Sequence, residues 1–205
     1  MKTKQWHERK SRDIYRKKAT AKGFVARSAF KIIEIEKKYN FIKKSKSIIE
    51  LGASPGGWTQ VILDIKKNHN FKFVCIDIND LKISLDKNHI FINKDFNNSS
   101  EIIKIIDNYF NDKFDLILSD MSPNTTGHNK TDHLKIIQLA DQVLEFSKKY
   151  INQNGTLILK IFQGSNEKDF VSKLKTKFKI VKYFKPISSR QTSSEIYLIC
   201  SNNLN

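Results

Sequence analysis

Cysteine is scarce in this 205-residue chain: Cys75 and Cys200 are the only two, and both lie in apolar runs, FKFVCIDI and EIYLIC. They read as core thiols, too few for a disulfide framework and without zinc-ligand spacing, so no metal is expected. Long hydrophobic runs are missing as well. No stretch approaches the roughly 18 residues that span a bilayer, and the opening MKTKQWHERK has no apolar segment of a secretory signal. Trp6, Glu8 and Asp13 speak against an organellar presequence. These absences predict a soluble, intracellular, cytoplasmic protein without a membrane partner. Acidic residues are in deficit, with Asp+Glu 21 against Lys+Arg 37 and a formal net charge of +16. Such an excess points to a polyanionic partner. What is present suffices for one folded domain: 39% apolar residues exclude wholesale disorder, and the length leaves no room for a two-domain enzyme.

The charge is unevenly distributed. Residues 1–46 hold 16 basic and 4 acidic side chains, residues 47–167 hold 13 and 15, and residues 168–190 hold 8 and 1. A nearly neutral body thus carries two basic flanks. For residues 1–22 a solvated tail is as good a reading as a binding arm. In the second flank, KDFVSKLKTKFKIVKYFK, lysines alternate with apolar residues, which predicts a packed face opposite a fixed cationic one suited to phosphates.

Short β-rich runs at 47–51, 71–77, 89–93, 114–120, 155–162, 178–184 and 194–200 alternate with helical patterns at 57–67, 99–110, 131–150 and 166–175. That alternation predicts a doubly wound α/β fold with a mainly parallel, seven-stranded sheet. Ahead of the first strand, residues 27–39 form a further helical pattern, expected to pack on the sheet's edge.

The first strand runs through LGASPGGW into a helix, and its small residues suit close approach of a ligand to backbone N–H groups. Neither GxGxxG nor GxxxxGK[ST] is present, so the dinucleotide and P-loop signatures are absent and a phosphate-free nucleoside fits better. Asp77, with Asp80 as fallback, ends the second strand, where such folds place an acid for ribose hydroxyls. Asp95 follows the third strand, placed to accept from an adenine amino group with Phe96 packed on the ring. Taken singly, each aspartate reads first as a turn or helix cap; their recurrence at successive strand ends favours a ligand crevice. Asp120 ends the fourth strand before a Ser-Pro-Asn turn, and Lys160 lies among apolar neighbours in the fifth, a costly place for an unused cation. Lys31 and Glu195 each read alone as ordinary surface charges.

Together LGASPGGW, the aspartates of VCIDIND and NKDFNN, SDMSPN, LKIFQG, SSEIYL and the upstream RSAFK resemble the FtsJ-type ribose 2′-O-methyltransferases, from about Arg12 to Cys200. The resemblance implies a Rossmann-like methyltransferase domain at 47–205 behind a basic extension and helix at 1–46. It implies a catalytic tetrad of Lys31, Asp120, Lys160 and Glu195, and S-adenosylmethionine contacts from Gly56, Trp58, Asp77, Asp95 and Asp120. Ser54 departs from the alanine common in that loop. The implied acceptor is a uridine ribose of large-subunit ribosomal RNA, naked or in the assembled subunit, with a monomeric enzyme that does not act on DNA. In this scheme Lys160 is either the general base for the 2′-hydroxyl or a cation stabilising the alkoxide. The alternatives are a transfer-RNA or messenger-cap ribose methyltransferase, an idle RNA-binding assembly factor, and an oxidoreductase, the last weakened by the missing dinucleotide loop.

Overall fold

The β-branched runs become strands. The computed structural model describes residues 13–204 except 98, 111 and 125. One sheet contains β1 (Ser47–Leu51), β2 (Lys72–Asp77), β3 (His89–Asn93), β4 (Phe114–Ser119), β5 (Ile151–Phe162), β6 (Phe178–Phe184) and β7 (Glu195–Asn203). Its order is β3-β2-β1-β4-β5-β7-β6. Neighbours from β3 to β5 are parallel, and β7 runs antiparallel to both β5 and β6. The winding reverses between β1 and β4, the switch point at which open α/β sheets bind ligands.

Seven helices are described: α1 (Ile14–Ala21), α2 (Ala29–Tyr39), α3 (Phe41–Lys44), α4 (Gly57–Lys66), α5 (Ser99–Tyr109), α6 (Asn129–Tyr150) and α7 (Glu167–Lys175). Strand periodicity divides the core in two. Ile49, Val74, Ile76, Ile117, Leu157 and Leu159 point to the side covered by α5, α6 and α7, while Ile48, Phe73, Cys75, Leu116, Leu118 and Ile158 pack against α2 and α4. Both faces are covered, as the α/β reading expects. Both cysteines are buried and free. Among the described residues no helix is long and apolar enough to cross a membrane.

The described part of the basic N-terminal block is structured rather than a solvated tail; residues 1–12 lie outside the described residues. Asp13 caps α1, accepting from Arg16 N at 3.2 Å, and Ala19 is buried. Helix α2 buries Ile32 and Ile35 completely, in the cluster that contains Ile48 of β1 and Phe73 of β2. Full burial of each contributes about 1.5–3 kcal/mol. A boundary at residue 46 therefore divides charge, while the core runs across it.

Candidate active site

The crevice is built where β1, β2 and β4 end. Gly52 N and Ala53 N donate to Ile76 O at 2.9 and 3.1 Å, and Asp120 N donates to Leu51 O at 3.1 Å, so three strand ends are tied together. Gly52 has φ +81°, and a Cβ there would lie 2.7 Å from Met121 N. Only glycine lets these two loops meet. The resulting crevice has a volume of about 620 Å³ and is lined by Asp77, Asp95 and Asp120, with Lys135, Gln138 and Gln142 from α6.

Asp77 is fixed before any ligand arrives: Oδ2 accepts from Ser54 N and Oδ1 from Asn79 N, each at 2.8 Å. The Ser54 hydroxyl donates to Asp80 O at 3.1 Å, so the departure at this position bonds the β1–α4 loop to the segment after β2. Asp80 itself is exposed and does not line the crevice, which leaves Asp77 as the acid at this end. Asp95 Oδ1 accepts from Asn97 N at 2.9 Å, and Asn97 Oδ1 accepts from Gln142 at 3.1 Å. Phe96 lines the crevice as well, although it is only 7% exposed and packs edge-on against Phe146.

Gly56 and Trp58 are not among the lining residues. The indole of Trp58 is 2% exposed, donates to Ser28 O at 2.9 Å and lies against Tyr197. Its ring holds α2 to α4, and neither position lines the crevice as expected.

The other four predicted residues come together. In the β5–β7 register Lys160 lies opposite Tyr197 and Phe162 opposite Glu195, which puts Lys160, Tyr197 and Glu195 on one face. Lys160 Nζ donates to Asp120 O at 2.6 Å and lies 3.1 Å from Asp120 Oδ1. Lys31 Nζ pairs with Glu195 Oε2 at 2.7 Å. Lys160 and Glu195 are 8% and 9% exposed, a degree of burial that charged residues show only when paired.

Residues the sequence reading passed over join the pairs. Tyr197 Oη donates to Asp120 Oδ1 at 2.7 Å, while its ring lies 5.9 Å from Lys31 Nζ. Ser189 Oγ donates to Glu195 Oε1 at 2.9 Å. Burial works to raise the Asp120 carboxyl, but the cations Lys160 and Lys31 and the bonds from Tyr197 and Lys160 outweigh it and hold Asp120 below its ordinary value. The Tyr197 phenol is raised well above 10 by burial and then by Asp120 and Glu195, so it stays a donor. Beneath the loop, Glu50 of β1 is 1% exposed and accepts from Thr59 Oγ1 at 2.7 Å. Tyr197, Ser189 and Glu50 lacked a local signal, because their partners are set by strand register and loop return.

The chain is similar to known proteins over most of its length. A "Ribosomal RNA large subunit methyltransferase E" of Rickettsia akari is 39% identical over 204 residues, covering 96% of this chain and 87% of the relative. The protein of that name from Wolbachia sp. subsp. Brugia malayi is 41% identical over 196 residues, covering 95% and 86%. A crystal structure from Plasmodium falciparum, described as a ribosomal RNA methyltransferase, superposes with a TM-score of 0.78 at 35% identity, covering 89% of this chain and 100% of that one. The model of the FtsJ-like methyltransferases matches residues 24–203, and the chain belongs to that family of enzymes.

Proposed function

We propose that the protein transfers a methyl group from S-adenosylmethionine to a ribose 2′-hydroxyl of large-subunit ribosomal RNA, at a uridine, in the cytoplasm. The observation that carries this is the joining of Lys160–Asp120 and Lys31–Glu195 through Tyr197 at the edge of a nucleoside-sized crevice. The names of the relatives support the ribosomal substrate.

The crevice fits the donor. Asp77 keeps acceptor capacity for ribose hydroxyls, Asp95 can accept an adenine amino group, and the orphan N–H groups opening α4 beside Gly56 and Trp58 offer backbone contacts. S-adenosylmethionine supplies an electrophilic methyl on a cationic sulfur. Asp120 lines the same crevice as a carboxylate and offsets positive charge there.

The acceptor hydroxyl is a poor nucleophile, and the chain's part is to activate it. Lys160 Nζ directs two positions at Asp120 oxygens and leaves one open. In a neutral amine the open position is a lone pair that takes the hydroxyl proton. In an ammonium it is an N–H that stabilises the developing alkoxide while water takes the proton. Glu195, itself held by Ser189, fixes Lys31 beside the same centre.

Ribose methylation is to be mapped in large-subunit and transfer RNA from cells lacking the gene, before and after adding the protein with S-adenosylmethionine. Methyl appearing at a large-subunit uridine is expected; methyl only in transfer RNA, or none, overturns the reading. Lys160→Ala is expected to lower turnover at least about 100-fold while calorimetric binding of S-adenosylmethionine is retained. Near-normal turnover removes Lys160 from the chemistry.

A further inference from the structure

Two arginines outside the tetrad meet on one carboxylate beside it. Arg27 lies in the turn that leads into α2, four residues before Lys31, and Arg190 directly follows Ser189, the residue that holds Glu195. Arg27 Nη1 bonds Asp13 Oδ2, and Arg190 Nη2 lies 3.2 Å from the same oxygen. Arg27 also donates to Ser188 O. The Asp13 side chain is 6% exposed, whereas that of Arg190 is 59% exposed.

One oxygen shared by two guanidinium forks leaves positive charge and N–H donors in surplus. The surplus registers on Arg27, which is pushed below its ordinary value by burial and next by Arg190, with Glu195 opposing. A latch for the 185–194 segment would not need this arrangement. Glu34 already accepts from Ile187 N at 2.6 Å and Ser188 N at 3.0 Å, which ties that segment to α2.

Paired guanidinium groups suit phosphate oxygens, and in RNA the 3′-oxygen that carries the phosphodiester neighbours the 2′-oxygen. A strand whose ribose enters at Lys160 and Lys31 therefore brings a phosphate toward the adjoining cations. We infer that Arg27 and Arg190 form a phosphodiester subsite next to the acceptor ribose, occupied by the Asp13 carboxylate until an RNA strand displaces it. This rests on the reading of the acceptor as RNA.

The test is the affinity of a short fluorescein-labelled oligouridylate across a salt series. Arg190→Gln, at an exposed side chain, is expected to reduce the slope of log affinity against log salt by about 0.7, the share of one single-strand phosphate. Asp13→Asn keeps the cap of α1, since Asn caps as well as Asp. It is expected to bind several-fold tighter than Asp141→Asn, which removes the same charge from a surface pair with Lys173. Binding of S-adenosylmethionine, measured alongside, reports that each variant is folded. An unchanged slope in Arg190→Gln, or Asp13→Asn binding no tighter than Asp141→Asn, overturns the subsite. Methylation by the unaltered protein is scored in parallel: its absence sinks the proposed function, whereas methylation with an unchanged slope sinks the subsite alone.

Discussion

Glu50 and Asp120 are both buried acids, yet their surroundings act on them in opposite directions. For Glu50, burial raises the carboxyl well above its ordinary 4.5, Thr59 opposes by hydrogen bonding, and Asp120 and Asp77 raise it further. An acid raised by folding stabilises the fold below its unfolded value, and that contribution is lost as pH climbs through the folded value. Glu50→Gln is therefore expected to be more stable than the parent in mildly alkaline buffer and to lose the advantage near pH 4.5, as read by urea unfolding across pH. Equal stability at both ends would mean that Glu50 is compensated some other way. Asp120 is held below 3.8, so its contribution is present above that pH and lost as pH falls through the folded value. Tyr197→Phe removes the 2.7 Å bond to its Oδ1. The expected cost is about 1.5–3 kcal/mol for a buried bond to a charged group, with acid destabilisation setting in at higher pH. Unfolding curves that superpose on the parent at every pH would deny Tyr197 that part.

At the scale of elements, strand positions were legible because each β-branched run pairs in register with its neighbours. The β-rich run expected at 155–162 falls short of the strand, because NQNG resembles a turn; in the structure β5 starts at Ile151, and the β4–β5 register shifts between Phe114 and Leu116. Helix α1 was hidden in its own charge, with IYRKKATA looking like a solvated block until Asp13 capped it and Ala19 found the core. Helix α3 is only 4 residues long, too short for a periodic signal. In the site, the resemblance supplied Lys31, Asp120, Lys160 and Glu195, whereas Tyr197, 77 positions from Asp120, needed the β5–β7 register to be found. The β1–α4 loop offers a direct test of its geometry. Gly52→Ala places a Cβ at φ +81° and 2.7 Å from the Met121 backbone. The left-handed conformation alone costs about 1–2 kcal/mol, and the collision pushes the β4 loop away. Urea unfolding is expected to show at least that loss, with weaker calorimetric binding of S-adenosylmethionine. Parent-like behaviour in both would mean that the two loops need not touch.

Over the whole molecule, charge and fold fit together at the β6 edge. Among the described residues this strand pairs only with β7, and its Lys179 and Lys182 are exposed, with Tyr183 45% exposed between those lysines and the next, Lys185. Lysines on an edge strand have a second explanation, since they discourage pairing with another sheet. The two roles separate by salt. If the lysines meet phosphates, each neutralises one, and the double variant Lys179→Gln/Lys182→Gln reduces the slope of log affinity against log salt by about 1.4 for single-stranded RNA. If they only guard the edge, the slope stays at the parent value and the variant self-associates instead, visible by light scattering. Because the 168–190 segment carries 8 basic side chains against 1 acidic one on the β5–β7 side of the sheet, where Lys160 and Glu195 also lie, the phosphate role is the expected outcome. Binding of S-adenosylmethionine should be unaffected by the double variant, since the crevice opens at the ends of β1, β2 and β4.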